Sequence, residues 1–349
     1  MMMDWYRGKR VLITGHTGFK GACLAEILLM AGADVTGFSL DPPTDPSLFD
    51  LLRLGEEIRD IRGDVRDYDA LDKAVSDVRP AVVFHLAAQP IVRESYRIPR
   101  ETFETNIMGT VNLLEALRKA DCADSIVNVT TDKVYLNIEK DRGYLEEDPL
   151  DGYDPYSNSK SCSDLVTHSY WNSFFRDHGA AVSTARAGNV IGGGDFAPDR
   201  IVPDCVRAAV RGEPIVLRNP ASVRPFQHVF EPLAAYLLLA KRQFEDRTLA
   251  GAYNVGPGPS DAITAGEIAD LFIEAWGGGV TKTVRPDGGP HEAKLLMLDS
   301  TKIRTRVGWK PVWDIREAVK RTAAWSKAYA DGKDMRQFTR SEIGEYFHV

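Results

Sequence analysis

The chain has 349 residues, room for one large α/β core with an appended lobe or for two domains. Its 44% hydrophobic and 27% charged residues are ordinary for a folded globular chain and far from a disordered one. A formal net charge of −7 without any basic face excludes a general nucleic-acid binder and points to a small-molecule partner. Met1 to Arg10 lacks the apolar core of a signal peptide and no run is long enough to span a membrane, so a cytoplasmic protein is expected. Cys23, Cys122, Cys162 and Cys205 show no paired spacing and read as small buried residues of a reducing compartment. The seven histidines form no ligand-spaced cluster, and no metal is expected.

Arg10 to Thr14 is a short apolar run that fits a buried parallel strand, and it runs straight into Gly15-His16-Thr17-Gly18-Phe19-Lys20-Gly21. Ala22 to Met30 has helical spacing and closes at Ala31-Gly32-Ala33, after which Asp34 to Ser39 reads as a second strand. The alternation continues with a helix over Leu71 to Val78, a strand over Ala81 to Leu86, a helix from about Phe103 to Ala120 and a strand over Ser125 to Thr130. A long helix opens at Tyr153 to Lys160 and runs to about Asp177, followed by a strand over Ala181 to Arg186 and, further on, by an apolar helix over Val229 to Lys241 and a short strand over Ala252 to Val255. Strands separated by helices predict an α/β fold built on a doubly wound parallel sheet. Past Gly188 the texture changes to Gly, Pro, Arg and Asp, as in loops that line a cleft. The division predicted is a cofactor domain over 1–190, with 229–255 folding back onto it, and a smaller lobe over 191–228 and 256–349.

Gly15, Gly18 and Gly21 after a first strand let the backbone turn tightly and approach a pyrophosphate, whose charge the following helix N-terminus favours. Thr17 and Phe19 belong to the same turn. The second strand ends in Ser39 where a ribose-binding carboxylate is common, Asp41 comes two residues later, and no arginine follows at once to take a 2′-phosphate. NAD is therefore favoured over NADP. Thr130 to Lys133 lies at the carboxyl end of a strand, the edge where open α/β sheets bind ligands. Tyr156 and Lys160, four apart on a helix, share one face. A phenol with a pKa of about 10 needs a shift of roughly three units, about 4 kcal/mol, to act as a base near neutrality. An ammonium at about 5 Å supplies roughly 3 kcal/mol of that at an effective dielectric of about 20. Thr131 is placed to bond the oxygen that Tyr156 deprotonates, and Asp132 and Lys133 add one carboxyl and one amine. Asn189, Arg200, Arg218, Arg224 and His228 lie in the loops past the change in texture, where arginine forks suit a diphosphate.

Taken together, the glycine turn, the Thr131/Tyr156/Lys160 trio and the late arginines resemble the nucleotide-sugar branch of the extended short-chain dehydrogenase/reductase superfamily. Further blocks resemble its CDP-glucose 4,6-dehydratase group: Ser39 to Thr44, His85 to Tyr96, Thr131-Asp132-Lys133, Gly152 to Lys160, Ala187 to Asp195, Arg224 to Pro232 and Pro290 to Ala293. Lys133 is the sharpest of these, since dTDP-glucose relatives carry glutamate there. Val134, Leu136 and Phe226 depart from the group's usual cysteine, polar residue and tryptophan. The resemblance implies a Rossmann fold with a substrate-binding lobe and an NAD that is used and regenerated within one turnover. It implies Gly15, Thr17, Gly18, Phe19, Gly21, Asp64, Val65, Leu86, Ala87, Ala88, Gln89, Tyr156 and Lys160 at the cofactor. It gives Thr131, Asp132, Lys133, Tyr156 and Lys160 to catalysis, with Asp132 as acid and Lys133 as base in the loss of water, and Asn189, Arg200, Arg218, Arg224 and His228 to a nucleotide sugar, CDP-glucose favoured. The helices near 103–120 and 157–175 match those of a dimer interface, implying a homodimer or dimer of dimers. A 4-epimerase shares the turn and the trio, and a non-catalytic sensor of sugar nucleotides shares the pockets; both stay open at this level.

Overall fold

The computed structural model describes residues 2–140, 142–177, 179–285 and 296–349; the Pro290 to Ala293 block, His178 and His291 lie outside the described residues. In chain order the strands are β1 (Arg10–Thr14), β2 (Asp34–Ser39), β3 (Arg59–Arg62), β4 (Val82–His85), β5 (Ser125–Thr131), β6 (Ala181–Ala187), β7 (Val190–Ile191), β8 (Ile215–Leu217), β9 (Val223–Pro225), β10 (Gln227–His228), β11 (Ala252–Val255), β12 (Ala262–Thr264) and β13 (Lys282–Val284). Seven of them form one sheet in the order β11-β6-β5-β4-β1-β2-β3, and every pairing in it is parallel. The order reverses between β1 and β4, so the carboxyl ends of those strands open a crevice where a dinucleotide binds in doubly wound sheets. The central strands are apolar because helices cover both faces. Phe19–Met30 and Phe230–Glu245 pack one face through Leu24, Ile27, Leu28, Leu233 and Leu237. Tyr68–Val78 and Gly109–Ala120 pack the other through Leu71, Val75, Leu113 and Leu117.

Strand β11 pairs with β6, so residues 252–255 close the sheet edge. The strand β3 has no counterpart in the sequence reading. It is a partly exposed edge strand, Arg-Asp-Ile-Arg, with one apolar residue and thus no periodic signal. The long helices near Phe103 and Tyr170 each contain a π-helical turn, Glu104–Met108 and Trp171–Phe175.

Three two-stranded ribbons, β7 with β10, β8 with β13 and β9 with β12, build the second lobe with helices Ile201–Arg211, Ala265–Trp276 and Ile315–Ala330. Its own core gathers Val202, Cys205, Leu217, Phe226, Ile268, Phe272 and Val319. The last helix, Met335–Phe347, falls in the lobe by the sequence division but docks on the sheet domain: Arg340 and Arg336 meet the buried Glu26 of helix Phe19–Met30. Tyr346 donates to Glu231 at 2.8 Å, and Glu231 also accepts the backbone N–H groups of Val312 and Trp313 at 3.0 and 2.7 Å. No helix among the described residues is long and apolar enough to cross a membrane.

Glu342 on that last helix is buried, its Oε1 lacks a hydrogen-bond partner, and burial raises its pKa from 4.5 to about 8 against the pull of Arg321, with Glu345 and Glu317 adding to the rise. The folded chain then keeps a proton that the unfolded chain releases. The stabilisation is complete below pH 4.5 and disappears as pH rises to about 8. Glu342→Gln, which cannot ionise, is expected to match the wild type at pH 5 and to melt at least ~4 °C higher at pH 9, read by thermal denaturation at both pH values. Equal Tm loss in both proteins between those values would remove Glu342 as the cause.

Candidate active site

The crevice continues between sheet and lobe as a cleft of about 1760 Å³. That exceeds a single small-molecule site of roughly 300–1,000 Å³ and is enough for a dinucleotide and a sugar nucleotide side by side.

Its floor begins at the glycine turn. Gly15 has φ +80°, and a Cβ there would stand 2.6 Å from Ala87 N; one on Gly21 would stand 2.1 Å from Gly15 O. Only glycine lets strand, turn and helix meet this closely. The helix Phe19–Met30 starts at Gly18 with no side-chain cap, so its first N–H groups suit a diphosphate. Thr17, Phe19, Asp64, Val65, Leu86, Ala87, Ala88 and Gln89 all line this end of the cleft. Gln89 does so with its side chain engaged: Nε2 donates to Thr102 at 2.9 Å and Oε1 accepts from Ile91 N at 2.6 Å.

The reactive groups come from the end of β5 and the first turns of helix Pro155–Tyr170. That helix is set by Asp154, whose carboxylate accepts from Ser157 N at 3.0 Å, and by proline at its first position. Thr131 lies near enough to Tyr156 for its hydroxyl to pull the phenol pKa down. Thr131 Oγ1 also donates to Asp132 Oδ1 at 2.9 Å, and Lys133 Nζ bridges Asp132 Oδ1 and Asn189 Oδ1 at 3.2 and 3.3 Å. Thr131, Lys133, Tyr156, Lys160 and Asn189 line the cleft, whereas Asp132 is fully buried behind them. Asp132 Oδ2 has no hydrogen-bond partner and lies over Gly188, where a Cβ would approach to 3.1 Å.

The expected acidification of Tyr156 is not what the fold itself produces. Burial pushes the phenol up to about 12, Thr131 and Arg200 pull it down, and Asp132 and Asp154 oppose them. Lys160 is turned to the backbone, donating to Val129 O at 3.0 Å, and burial together with Lys20 lowers its pKa to about 8. Lys20, read in the sequence only as a spacer between glycines, is a missed member of the site. It lines the cleft, and burial followed by Arg200 takes its pKa to about 8 with Asp132 and Asp195 pulling the other way. Its signal was a cation in the first turn of the phosphate-facing helix, where apolar residues serve packing better.

Arg200, Arg218 and Arg224 line the lobe side. Arg200 pairs with Asp195 at 2.9 Å, Arg218 with Asp199 at 2.6 Å, and Arg224 donates to Val223 O at 2.8 Å. His228 is not brought to them. It is buried between the Phe230 and Trp313 rings, at 4.6 and 4.9 Å, with burial driving its pKa to about 3, and it is no part of the cleft lining.

The fold and this site define an extended short-chain dehydrogenase/reductase with a sugar-nucleotide lobe. A family model described as GDP-mannose 4,6 dehydratase matches residues 12–322, and the chain belongs to that family. It is 44% identical to the CDP-glucose 4,6-dehydratase of Salmonella typhimurium over 98% of this chain and 97% of that one. It is 30% identical to a dTDP-glucose 4,6-dehydratase of Streptomyces griseus over 90% of this chain and 93% of that one. Among solved structures it resembles the UDP-glucose 4-epimerase of Thermus thermophilus in complex with NAD, with TM-score 0.78 and 27% identity over 91% and 99% of the chains.

Behind the site, Asp164 on helix Pro155–Tyr170 accepts from Arg186 Nε and Nη2 at 2.9 and 2.8 Å, and both residues are buried. Arg186→Met, which leaves the carboxylate buried without its cation, is expected to cost about 3–5 kcal/mol in denaturant unfolding. Arg186→Lys should recover less than half of it, because an ammonium lacks the two-pronged fork. Full recovery by lysine would show that the charge alone matters.

Proposed function

We propose that the protein is a CDP-glucose 4,6-dehydratase that converts CDP-D-glucose to CDP-4-dehydro-6-deoxy-D-glucose and water with bound NAD, in deoxysugar biosynthesis. The observation that carries the reading is the convergence of Thr131, Tyr156 and Lys133 at one end of the cleft, with Asp132 hydrogen-bonded behind Thr131 and Lys133, in a chain with a full-length relative of that activity. NAD, when bound, supplies the hydride acceptor at carbon 4 and the donor at carbon 6. The turn Gly15 to Gly21, Asp64, Val65, Leu86 to Gln89 and Lys160, which line the cleft, would hold it. Tyr156 takes the proton of the sugar 4-hydroxyl, and Thr131 steadies the oxygen as its charge changes. The burial that raises the phenol pKa makes a nearby positive charge the stronger in lowering it, since little water screens the two.

The carbonyl at carbon 4 acidifies the carbon 5 proton. Lys133 faces the cleft and removes it, while Asp132, hydrogen-bonded to both Lys133 and Thr131, supplies the proton for the departing 6-hydroxyl. The two act as one coupled pair, so a single pKa belongs to neither. Arg200, Arg218, Arg224 and Asn189 take the nucleotide diphosphate side of the cleft.

The same reading has the sheet domain and lobe divided at 190, with 229–255 returning to the sheet as β11 does. It places the enzyme in the cytoplasm, supported by four cysteines that stay unpaired. It pairs subunits through the helices near 103–120 and 157–175, which leave Met108, Leu165 and Phe174 exposed. Leu165→Asp is expected to sediment as a monomer where the wild type does not.

Incubation with CDP-glucose in heavy water decides between dehydratase and epimerase. The dehydratase places solvent deuterium at carbon 5 and loses one water, whereas a 4-epimerase does neither. Tyr156→Phe is expected to bind CDP-glucose yet lose at least about 10²-fold in kcat. Across CDP-, dTDP-, GDP- and UDP-glucose, kcat/KM should favour CDP-glucose by about tenfold or more. Turnover with none of the four would leave a binding protein.

A further inference from the structure

Asp132 is fully buried behind the cleft wall, and among the described residues its carboxylate has two hydrogen-bond partners. Thr131 Oγ1 donates to Oδ1 at 2.9 Å and Lys133 Nζ donates to the same oxygen at 3.2 Å, while Oδ2 lies over Gly188 without a partner. An acid so enclosed does not take its proton from water directly. The proton comes through Thr131, or through Lys133, whose side chain is 28% exposed.

The bonding of Thr131 has a direction. A hydroxyl offers one hydrogen and two lone pairs. The hydrogen is spent on Asp132, and one lone pair accepts the backbone N–H of Lys133 at 3.4 Å. One acceptor position is left, and the phenol O–H near enough to use it is that of Tyr156, on which the Thr131 hydroxyl acts. The donors then run in one line, from Tyr156 to Thr131 to Asp132, as a hydrogen-bonded chain that moves a proton requires.

On the proposed function, one turnover leaves the two ends of that line unequal. Tyr156 gains the proton of the sugar 4-hydroxyl, and Asp132 loses one to the 6-hydroxyl, which leaves as water. Hydride lost at carbon 4 is regained at carbon 6, and the proton that Lys133 takes from carbon 5 is replaced by one that Lys133 gives back. The site works again only when a proton has left Tyr156 and one has reached Asp132.

We infer that Thr131 is the relay that resets the site: the O–H bond of Tyr156 breaks as a new one forms on Thr131 Oγ1, and the former Thr131 proton passes to Asp132 Oδ1. The proton taken from the 4-hydroxyl thereby reloads the acid, and neither end exchanges a proton with water. The relay rests on the dehydratase reading and adds a second task to the one Thr131 has at the sugar oxygen. Lys133 keeps its own exchange with water, as solvent deuterium at carbon 5 demands. A 4-epimerase, which hands the proton back to the sugar, has no need of the relay.

The test is kcat with CDP-glucose at fixed pH and ionic strength as imidazole is raised, for the wild type, Thr131→Ser, Thr131→Val and Thr131→Ala, with CDP-glucose titration to show that each is folded. Wild type and Thr131→Ser are expected to be indifferent to imidazole. Thr131→Val and Thr131→Ala should lose about tenfold or more in kcat and regain about threefold or more as imidazole carries protons between the cleft and water. A lost contact to the sugar oxygen also lowers kcat, but no buffer restores it. A loss that does not respond to imidazole, kcat within about twofold of wild type in either variant, or a wild type that itself rises with imidazole would overturn the relay. A wild type that forms no 4-keto product from CDP-glucose overturns the dehydratase reading, and the relay with it.

Discussion

The carboxylate of Asp164 and the guanidinium of Arg186 meet inside the protein, and the placement of the reactive groups follows from how that meeting is satisfied. A buried ion pair costs more in lost hydration than it returns unless its remaining donors and acceptors are filled. Here they are. Asp164 takes two bonds from Arg186 and one each from Thr130 and Thr184 at 3.1 and 3.2 Å. Arg186 Nη1 donates to Tyr135 OH and Glu146 O at 2.8 and 2.9 Å, and Tyr135 donates onward to Asn254 at 2.6 Å. Burial works against the guanidinium charge, yet Asp164 and Tyr135 hold its pKa above the ordinary value. Four segments thereby share one fully bonded centre: the catalytic helix, β5, β6 with β11, and the chain that follows Lys133. Asp164 lies one helical turn beyond Lys160, and Thr130 one residue before Thr131, so the network sets the register of both halves of the site at once.

The cleft built on this frame draws cations together at its phosphate and sugar sides. The net charge is −7, yet Lys20, Lys133, Lys160, Arg200, Arg218 and Arg224 all face one cavity. Two carboxylates beside them are tied to a cation, Asp195 to Arg200 and Asp132 to Lys133. Crowding shows in Lys20 and Lys160, both brought to about 8 by burial first and by neighbouring cations second. A site where ammonium groups are this close to losing protons gains by admitting anions, and two diphosphates are such anions. Electrostatics therefore favour cofactor and sugar nucleotide together.

What was legible in the sequence was what a single segment reports about itself. Apolar runs gave six of the seven sheet strands, and the spacing of Gly15, Gly18 and Gly21, and of Tyr156 and Lys160, gave the two ends of the cleft. What was not legible arises between segments. The polar edge strand β3 carries no periodic signal, and with it went the adjacency of Arg62 to Ser39. His228 sits in a loop-like stretch rich in arginine, but in the fold it joins the aromatic packing of Phe230 and Trp313. The acidity of Tyr156 was argued from one charge, whereas in the fold burial outweighs every neighbour that acts on the phenol.

That last difference bears on how such a site controls its chemistry. A phenol near 12 keeps its proton at neutral pH, so the base is weak until a further positive charge enters the same dry volume. Lys160, bonded to Val129 O and itself brought to about 8, is a modest source of that charge. The oxidised cofactor carries a positive ring, the reduced one does not, and the difference acts across a medium with little water to screen it. On the proposed function, Tyr156 would give up its proton when the sugar is to be oxidised and recover it once hydride has left the sugar, the order a closed oxidation and reduction requires. Burial of the phenol, which looks adverse when the residue is considered alone, is what makes its acidity follow the state of its neighbour.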